Sequence, residues 1–521
     1  MRYAIPPGHP CLAEDKTMMK RRRTTLILNY MVLAACGDHP SQVTVPPRDR
    51  IPDASGASHA REDAGRPMPE RDAVAPDACV PPPRFVVGGS YSTVQLLAML
   101  TDPGVCPSGW TELFQERFGQ GKGEEALIPL QPAYVRDVDA YGDLAGLADA
   151  IVGTFRDVGE EMPVVRLSIF WPCFMANRSV RDGYRDLIGS VRATGYTIEL
   201  VLVHHASYPA ELHFAPASVG TIGGWAHPDA QAAFAAYVTS VLAEFEPELP
   251  VGTVINLAME PVPQLMDGYI HREGKIPPGG RNAGHSLAVA MAHMRDAFLE
   301  AGPVIRAAGF VPAIGMNIRP LVGDAELPGA AFLDFLHNDW FTSAVVDGCI
   351  DDDFDGACER SRPPAVDHIG VSFYGTMHAS RDTTEFGLPG WRPEPILARR
   401  EFHPTDFAPD PVQLRAALTR VETRYIERIA DGTLALGVAE LGFSNGNPTV
   451  QLDWLTDALA VLEEFPVRFL TIHAPFQHAE FSPGDWYFHL VDRCCPPELT
   501  DWGRLALDAL AIWNVNRDAC E

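Results

Sequence analysis

From Phe85 to the C-terminal end, short apolar runs alternate with amphipathic stretches of helical length, the pattern of repeated βα units around a parallel sheet. Eight runs read as strands: FVVGGSY from Phe85, PVVRLSIF from Pro163, TIELVLVHH from Thr197, VGTVINLAM from Val251, FVPAIGMN from Phe310, DHIGVSFY from Asp367, LALGVAE from Leu434 and FLTIHA from Phe469. Helices fit between them, at about Leu144 to Val158, Val180 to Thr194, Pro228 to Phe245, His285 to Ala301, Ala330 to Val346, Pro411 to Ala430 and Trp454 to Glu464, with a last one near Asp501 to Trp513. Eight strand–helix pairs predict an α/β fold, a closed (β/α)8 TIM barrel over residues 85–521, whose site gathers at the strands' C-terminal ends.

Polar residues fall where such a site requires them. Gln95 follows the first run, Arg166 lies in the second, His205 ends the third, Glu260 the fourth, Asn317 the fifth, Tyr374 the sixth and Glu440 the seventh, and Glu480 follows the eighth. Two of these are carboxylates closing apolar runs, Glu260 in VINLAMEP and Glu440 in LALGVAELG. A pair of carboxyl groups at the exits of two buried parallel strands is what glycoside hydrolysis needs, one to protonate the leaving oxygen and one to attack the sugar carbon.

Several stretches together resemble the family 1 glycoside hydrolases, the β-glucosidase-like members of clan A. FVVGGSYSTVQ (85–95) is similar to the family's opening motif and its sugar-binding Gln, here Gln95. VVRLSIFWP (164–172) resembles the strand-two motif, and LVHHASYP (202–209) the strand-three motif, where His205 corresponds to the glycone-binding His. FLHNDWF (335–341) is similar to the helix after strand five, and GVSFY (370–374) to the segment whose Tyr supports the nucleophile. The resemblance implies a cofactor-free retaining glycosidase with Glu260 as acid/base, Glu440 as nucleophile, Arg166 and Tyr374 steadying Glu440, and Gln95, His205, Asn317 and Glu480 holding sugar hydroxyls. Arg166 reads equally as half of an ion pair inside the barrel. The chain departs from the family pattern at Met259, Leu441, Ala206, His473 and Phe481. The Asn that usually contacts the sugar 2-hydroxyl is replaced by Met259, so β-glucosidase specificity does not carry over.

An acid/base at Glu260 needs its carboxyl raised toward neutrality, whereas a nucleophile at Glu440 must stay ionised. Trp171, Trp340 and Trp486 are the aromatic rings available to stack on sugars, although ordinary packing accounts for them as well. Two other readings are open: a non-catalytic carbohydrate-binding surface lipoprotein on the same barrel, and an endo-acting clan A glycanase with an open groove.

Composition changes the picture at the N-terminal end. Lys20 to Arg23 precede the apolar run TTLILNYMVLAA and Cys36, an export signal too short to span a bilayer, and Leu33-Ala34-Ala35-Cys36 resembles a bacterial lipobox. Residues 37–84, rich in Pro, Asp, Arg, Ser and Ala, cannot bury enough to fold and read as a disordered tether. The expectation is therefore an exported, membrane-anchored lipoprotein, periplasmic or at the cell surface and touching the membrane only through Cys36, with a plain secreted protein as the alternative. A net charge of −27 over 521 residues disfavours nucleic acid as a partner and suits a carbohydrate substrate.

Of ten cysteines, Cys11 is lost with the signal and Cys36 is set aside at the lipobox, which leaves eight, and Cys349 and Cys358 are the best-placed local disulfide pair. They bracket DDDFDG (351–356), which opens like a calcium loop, but Arg362 stands where the bidentate Glu belongs, so a solvated acidic turn with no metal is expected. Zinc spacing, a phosphate-binding glycine loop and a G-x-S-x-G motif are missing from the sequence, which disfavours a metallohydrolase, a nucleotide enzyme and a serine esterase.

Overall fold

The computed structural model describes residues 86–91, 164–204, 207–270, 277–319, 329–373, 379–386, 394–399, 410–442, 447–472, 491–492, 498–499 and 503–510, except 194, 281 and 282. All lie in the compact unit Val80–Glu521. The expected export signal, Cys36, the tether and the helix at 144–158 lie outside the described residues, as do Gln95, His205, Tyr374, His473, Glu480, Phe481 and Trp486. No helix among the described residues is long and apolar enough to cross a membrane.

All eight expected strands are present: β1 (Val86–Tyr91), β2 (Val164–Ser168), β3 (Thr197–Val203), β4 (Val254–Met259), β5 (Val311–Met316), β6 (His368–Phe373), β7 (Ala435–Leu441) and β8 (Val467–Ile472). They pair in parallel in chain order, and β1 closes on both β2 and β8, which completes the barrel. Their outward residues, such as Leu200, Leu257, Val371 and Val438, pack against the surrounding helices in one continuous apolar core.

The helices follow from local chemistry. Helix α1 (Trp171–Ala176) has Pro at its start, and α2 (Arg178–Ala193) and α3 (Ala230–Phe245) cover β2 and β3. Helix α4 (Pro261–Tyr269) begins directly after Glu260 with Pro at its first position, where a missing N–H costs nothing. Helix α5 (Gly284–Ala307) is longer than the sequence pattern implies. The run expected as one helix over 330–346 is α6 (Ala330–Phe335) and α7 (Phe341–Asp347) joined by a π turn, Leu336–Trp340. Helices α8 (Pro411–Arg424) and α10 (Pro448–Leu462) start on side-chain caps, Asp410 accepting from the Val412 amide and Asn447 from the Thr449 amide, with the short α9 (Ile426–Ala430) after α8. Residues 503–510 are helical, as expected.

One expectation is corrected. Cys349 and Cys358 are free thiols, not a disulfide, whereas Cys173 is disulfide-bonded. The antiparallel ribbon of Cys349–Ile350 with Arg360–Ser361 pairs Cys349 with Ser361, and Cys358 turns its sulfur 3.2 Å from the Arg360 carbonyl, to which it donates. Burial, and next its hydrogen bond with Cys358, push the Cys349 thiol up. Trp171 and Trp340 are core residues, the packing reading of the sequence: Trp171 stacks on Tyr237 with centroids 5.2 Å apart, and Trp340 lies against Phe354 and under the Arg295 guanidinium.

Inside the barrel, Val201, Met259 and Ala439 form a small apolar plug. It fits because β5 and β6 carry Gly315 and Gly370 at the same level. A Cβ on Gly315 would fall 2.4 Å from the Met259 sulfur, and one on Gly370 would fall 2.5 Å from the Ala439 Cβ and 3.0 Å from its backbone. Gly370→Ala is therefore expected to lower unfolding free energy by about 1–3 kcal/mol, the usual cost of overpacking, and Ala439→Gly should restore part of it. Denaturant melts of the two single variants and the double variant check this; equal midpoints in wild type and Gly370→Ala would refute the close fit.

Candidate active site

Polar groups interrupt the interior of an otherwise apolar barrel on β2, β3 and β4. Arg166 is fully buried and forks onto Glu199, Nε lying 2.9 Å from Oε1 and Nη2 donating to Oε2 at 3.0 Å. Asn256 Nδ2 donates to the same carboxylate at 3.1 Å. A buried charge pair persists only where its members are matched in this way. The third arm of Arg166, Nη1, donates to the carbonyl of Ala439, the residue before Glu440. Arg166 is thus the barrel ion pair of the two sequence readings, and it meets the strand of Glu440 through the preceding peptide. Glu199 was not expected as its partner; the available signal was a lone carboxylate inside the apolar run TIELVLV.

The strands that carry the two glutamates share a second feature. In β4 the register against β5 shifts between Asn256 and Met259, and in β7 the register against β6 shifts between Gly437 and Glu440. A bulge adds a residue to one strand and re-aims the side chains after it. In β4, Leu257 and Ala258 both join the outer core and Met259 returns to the interior, wholly buried. In β7, Val438 and Leu441 join the outer core, Ala439 turns inward, and Glu440 stands in register with Ser372 of β6. Glu440 is 3% exposed and Ser372 is fully buried.

Glu260 sits at the barrel rim in the left-handed region, with φ 50° and ψ 50°. A non-glycine residue there costs about 1–2 kcal/mol, and such outliers persist where the surroundings over-determine them. Its amide donates to the Gly315 carbonyl at 2.8 Å, its carbonyl accepts from the Gln264 amide at 3.3 Å, and Gln264 Nε2 donates to the Met259 carbonyl at 2.6 Å. Its carboxylate Oε1 accepts a hydrogen bond from Asn317 Nδ2, so two of the expected site residues meet.

Asn317 is held in turn from outside. Asn338, in the π turn, accepts from the Arg319 amide and donates to the Arg319 carbonyl, both at 2.9 Å, which fixes the chain two residues past Asn317. The π turn is therefore a support for the β5 exit, and such turns concentrate near functional sites. On β3 the ring of His204, the neighbour of His205, lies with Nδ1 3.4 Å from Ser168 Oγ on the inner face of β2.

Away from the barrel mouth, Asp351, Asp353, Asp355 and Glu359 each bring an oxygen within 4.8 Å of the others. The fourth carboxylate comes from Glu359, not from the Arg362 position. Loss of solvent contact, a hydrogen bond with Glu359 and the charges of Asp355 and Glu359 push Asp353 up to about 6. Asp351 is tied to the loop itself, accepting from the amides of Asp355 and Gly356.

The fold and site define an eight-stranded parallel α/β barrel with carboxylates at the C-terminal ends of β4 and β7. Solved structures similar to it include the family 1 β-glucosidase from Thermotoga maritima, with TM-score 0.59, 16% identity, and 82% of this chain and 98% of that chain covered. Also similar are a β-glucosidase from Exiguobacterium antarcticum, with TM-score 0.61, 15% identity, and 83% and 98% covered, and the AHE enzyme from Alicyclobacillus herbarius, with 0.60, 18%, 82% and 98%. This likeness shows a shared barrel fold over almost the full length of those chains. No protein-family model matches the chain, and no curated protein matches it in sequence.

The left-handed geometry at Glu260 has a measurable consequence. Glu260→Gly should be more stable than Glu260→Ala by about 1 kcal/mol, since neither can accept the hydrogen bond from Asn317 and only glycine escapes the backbone penalty. Thermal melts of the two variants decide it; an alanine variant as stable as the glycine variant would show that the residue relaxes out of this conformation.

Proposed function

We propose that this chain is a retaining glycoside hydrolase that cleaves an O-glycosidic bond by double displacement. Glu440 attacks the anomeric carbon as the bond to the leaving oxygen breaks, and Glu260 gives its proton to that oxygen. Glu260 then takes a proton from water, the water oxygen bonds to the anomeric carbon, and Glu440 leaves. The observation that carries this reading is the exit of two glutamates from β4 and β7, each after a bulge, with Asn317 bonded to the first. The barrel, shared with structures that include β-glucosidases, supports it. In this reading Gln95, His205, Asn317 and Glu480 bind sugar hydroxyls, Tyr374 steadies Glu440, and the chain is exported and anchored through Cys36.

One observation favours a second reading. Met259 fills the barrel interior and presents no amide toward a sugar, which suits a carbohydrate-binding protein that has lost turnover.

A panel of aryl glycosides separates the two. Wild type should release the aryl alcohol from at least one member, Glu440→Ala should lose about 10⁴-fold or more, and azide should restore turnover by replacing the missing nucleophile. Glu260→Ala should lose least on substrates with acidic leaving groups, which need no proton. Equal rates in wild type and both variants would end the enzyme reading and leave the binding one.

A further inference from the structure

The geometry points to Asn338, in the π turn, as a remote positioning residue of the acid/base, acting on Glu260 through the peptide of Arg319 and the side chain of Asn317; this rests on the reading of Glu260 as acid/base. Each bond in that line is present in the structure. Asn338 Nδ2 donates to the Arg319 carbonyl and Oδ1 accepts from the Arg319 amide, both at 2.9 Å. Two residues back along the same chain, Asn317 Nδ2 donates to Glu260 Oε1. Because Oε1 accepts from an N–H, the proton that Glu260 delivers is carried by Oε2, and where that oxygen points depends on where Asn317 stands.

A carboxamide offers two N–H donors and two acceptor lone pairs, and Asn338 uses all four. Its other N–H goes to Asp334 Oδ1 at 2.8 Å, and its other lone pair faces His337 Nδ1 at 3.1 Å. The side chain is buried, so water does not compete for these bonds. Paired bonds to the N–H and C=O of one residue are those of a β-bridge, and a carboxylate of the same shape could not donate to the Arg319 carbonyl. The turn is anchored from outside as well. Arg420 of α8 donates through Nη1 and Nη2 to Asp334 at 3.1 and 2.8 Å, and through Nε to Asp339 at 3.0 Å. Thr342 Oγ1 donates to the Asn338 carbonyl at 2.9 Å. A line of bonds therefore runs from a surface helix to the carboxylate at the barrel rim. Titratable groups on the elements around Glu260, among the described residues, are His204 at the end of β3, Asp267 and Tyr269 on α4, Arg319 beyond β5 and Glu440 on β7; those around Asn338 are Asp334, His337, Asp339, Arg319 and Arg420.

The test compares kcat/KM, which reports the first displacement, on aryl glycosides with basic and with acidic leaving groups. Asn338→Ala should lose about tenfold where the leaving oxygen needs a proton and about twofold or less where it does not. In a Glu260→Ala background, adding Asn338→Ala should cost nothing more, because the group it positions is gone. Asn338→Ser, which leaves a smaller cavity and one donor, is run beside it and should lose less on the same substrates. Equal losses on both leaving groups, or a loss that persists in the Glu260→Ala background, would overturn the assignment and leave Asn338 a structural residue. If wild type turns over no glycoside, the glycosidase reading fails and a readout without turnover decides this one. The ¹³C carboxyl resonance of Glu260, assigned by its loss in Glu260→Gln, is titrated in wild type, Asn317→Ala and Asn338→Ala. Both variants should raise its midpoint, since each weakens a donor to the ionised form. An unmoved midpoint in Asn338→Ala overturns the inference.

Discussion

The barrel depends on a guanidinium buried at its centre. Arg166 spends two arms on Glu199 and the third on the Ala439 carbonyl, so one side chain ties β2 to β3 and reaches across to β7. In a medium that cannot hydrate it, a charge of this kind is stable only if every arm is used. Asn256 completes the shell by donating to Glu199, which brings β4 in as well. The consequence for the site is mechanical. The backbone of β7 is anchored at the residue before Glu440, and the interior above that anchor is packed by Met259, Val201 and Ala439 rather than filled with water.

Above this floor, each glutamate is placed by an irregularity. Regular alternation cannot turn Ala439 and Glu440 inward together, nor return Met259 to the interior after Asn256; a bulge in each strand does both. At Glu260 the chain then takes a left-handed turn straight into a helix headed by Pro261, strain held in place by a hydrogen bond to the Gly315 carbonyl and by bonds from the Gln264 amide and the Asn317 side chain. The supports come from elements far apart in sequence, such as Asn338 pinning the chain beyond Asn317.

Much of the fold was legible because parallel strands buried on both faces read as continuous apolar runs, and all eight lie within a few residues of their expected ends. The helices α1 and α4 were missed because each has a proline in its first two residues, in a stretch that reads as a turn, and the π turn was missed because its apolar spacing matches an unbroken helix. Within the site, the pairing of Asn317 with Glu260 follows from strand order, since both end neighbouring runs. Glu199 and Asn256 were not legible, because each is a lone polar residue inside an apolar strand and its partner is fixed only by register. Met259 illustrates the limit most clearly. Its position beside Glu260 reads as a place where a side chain would meet the sugar, and the bulge in β4 instead turns it down into the barrel, where Gly315 makes room. The spacing of Cys349 and Cys358 does bring their side chains into hydrogen-bond contact, but both remain free thiols.

The central claim is that Glu440 forms a covalent bond to the sugar. Incubation with a panel of 2-fluoro aryl glycosides, in which the fluorine slows both displacements and a good leaving group speeds only the first, so that the covalent intermediate accumulates, followed by mass analysis of the intact protein and its peptides, is the decisive experiment. One glycosyl adduct is expected, carried by the peptide that contains Glu440 and lost in Glu440→Gln. An adduct on another residue, or turnover with inversion at the anomeric carbon and no adduct, would contradict it.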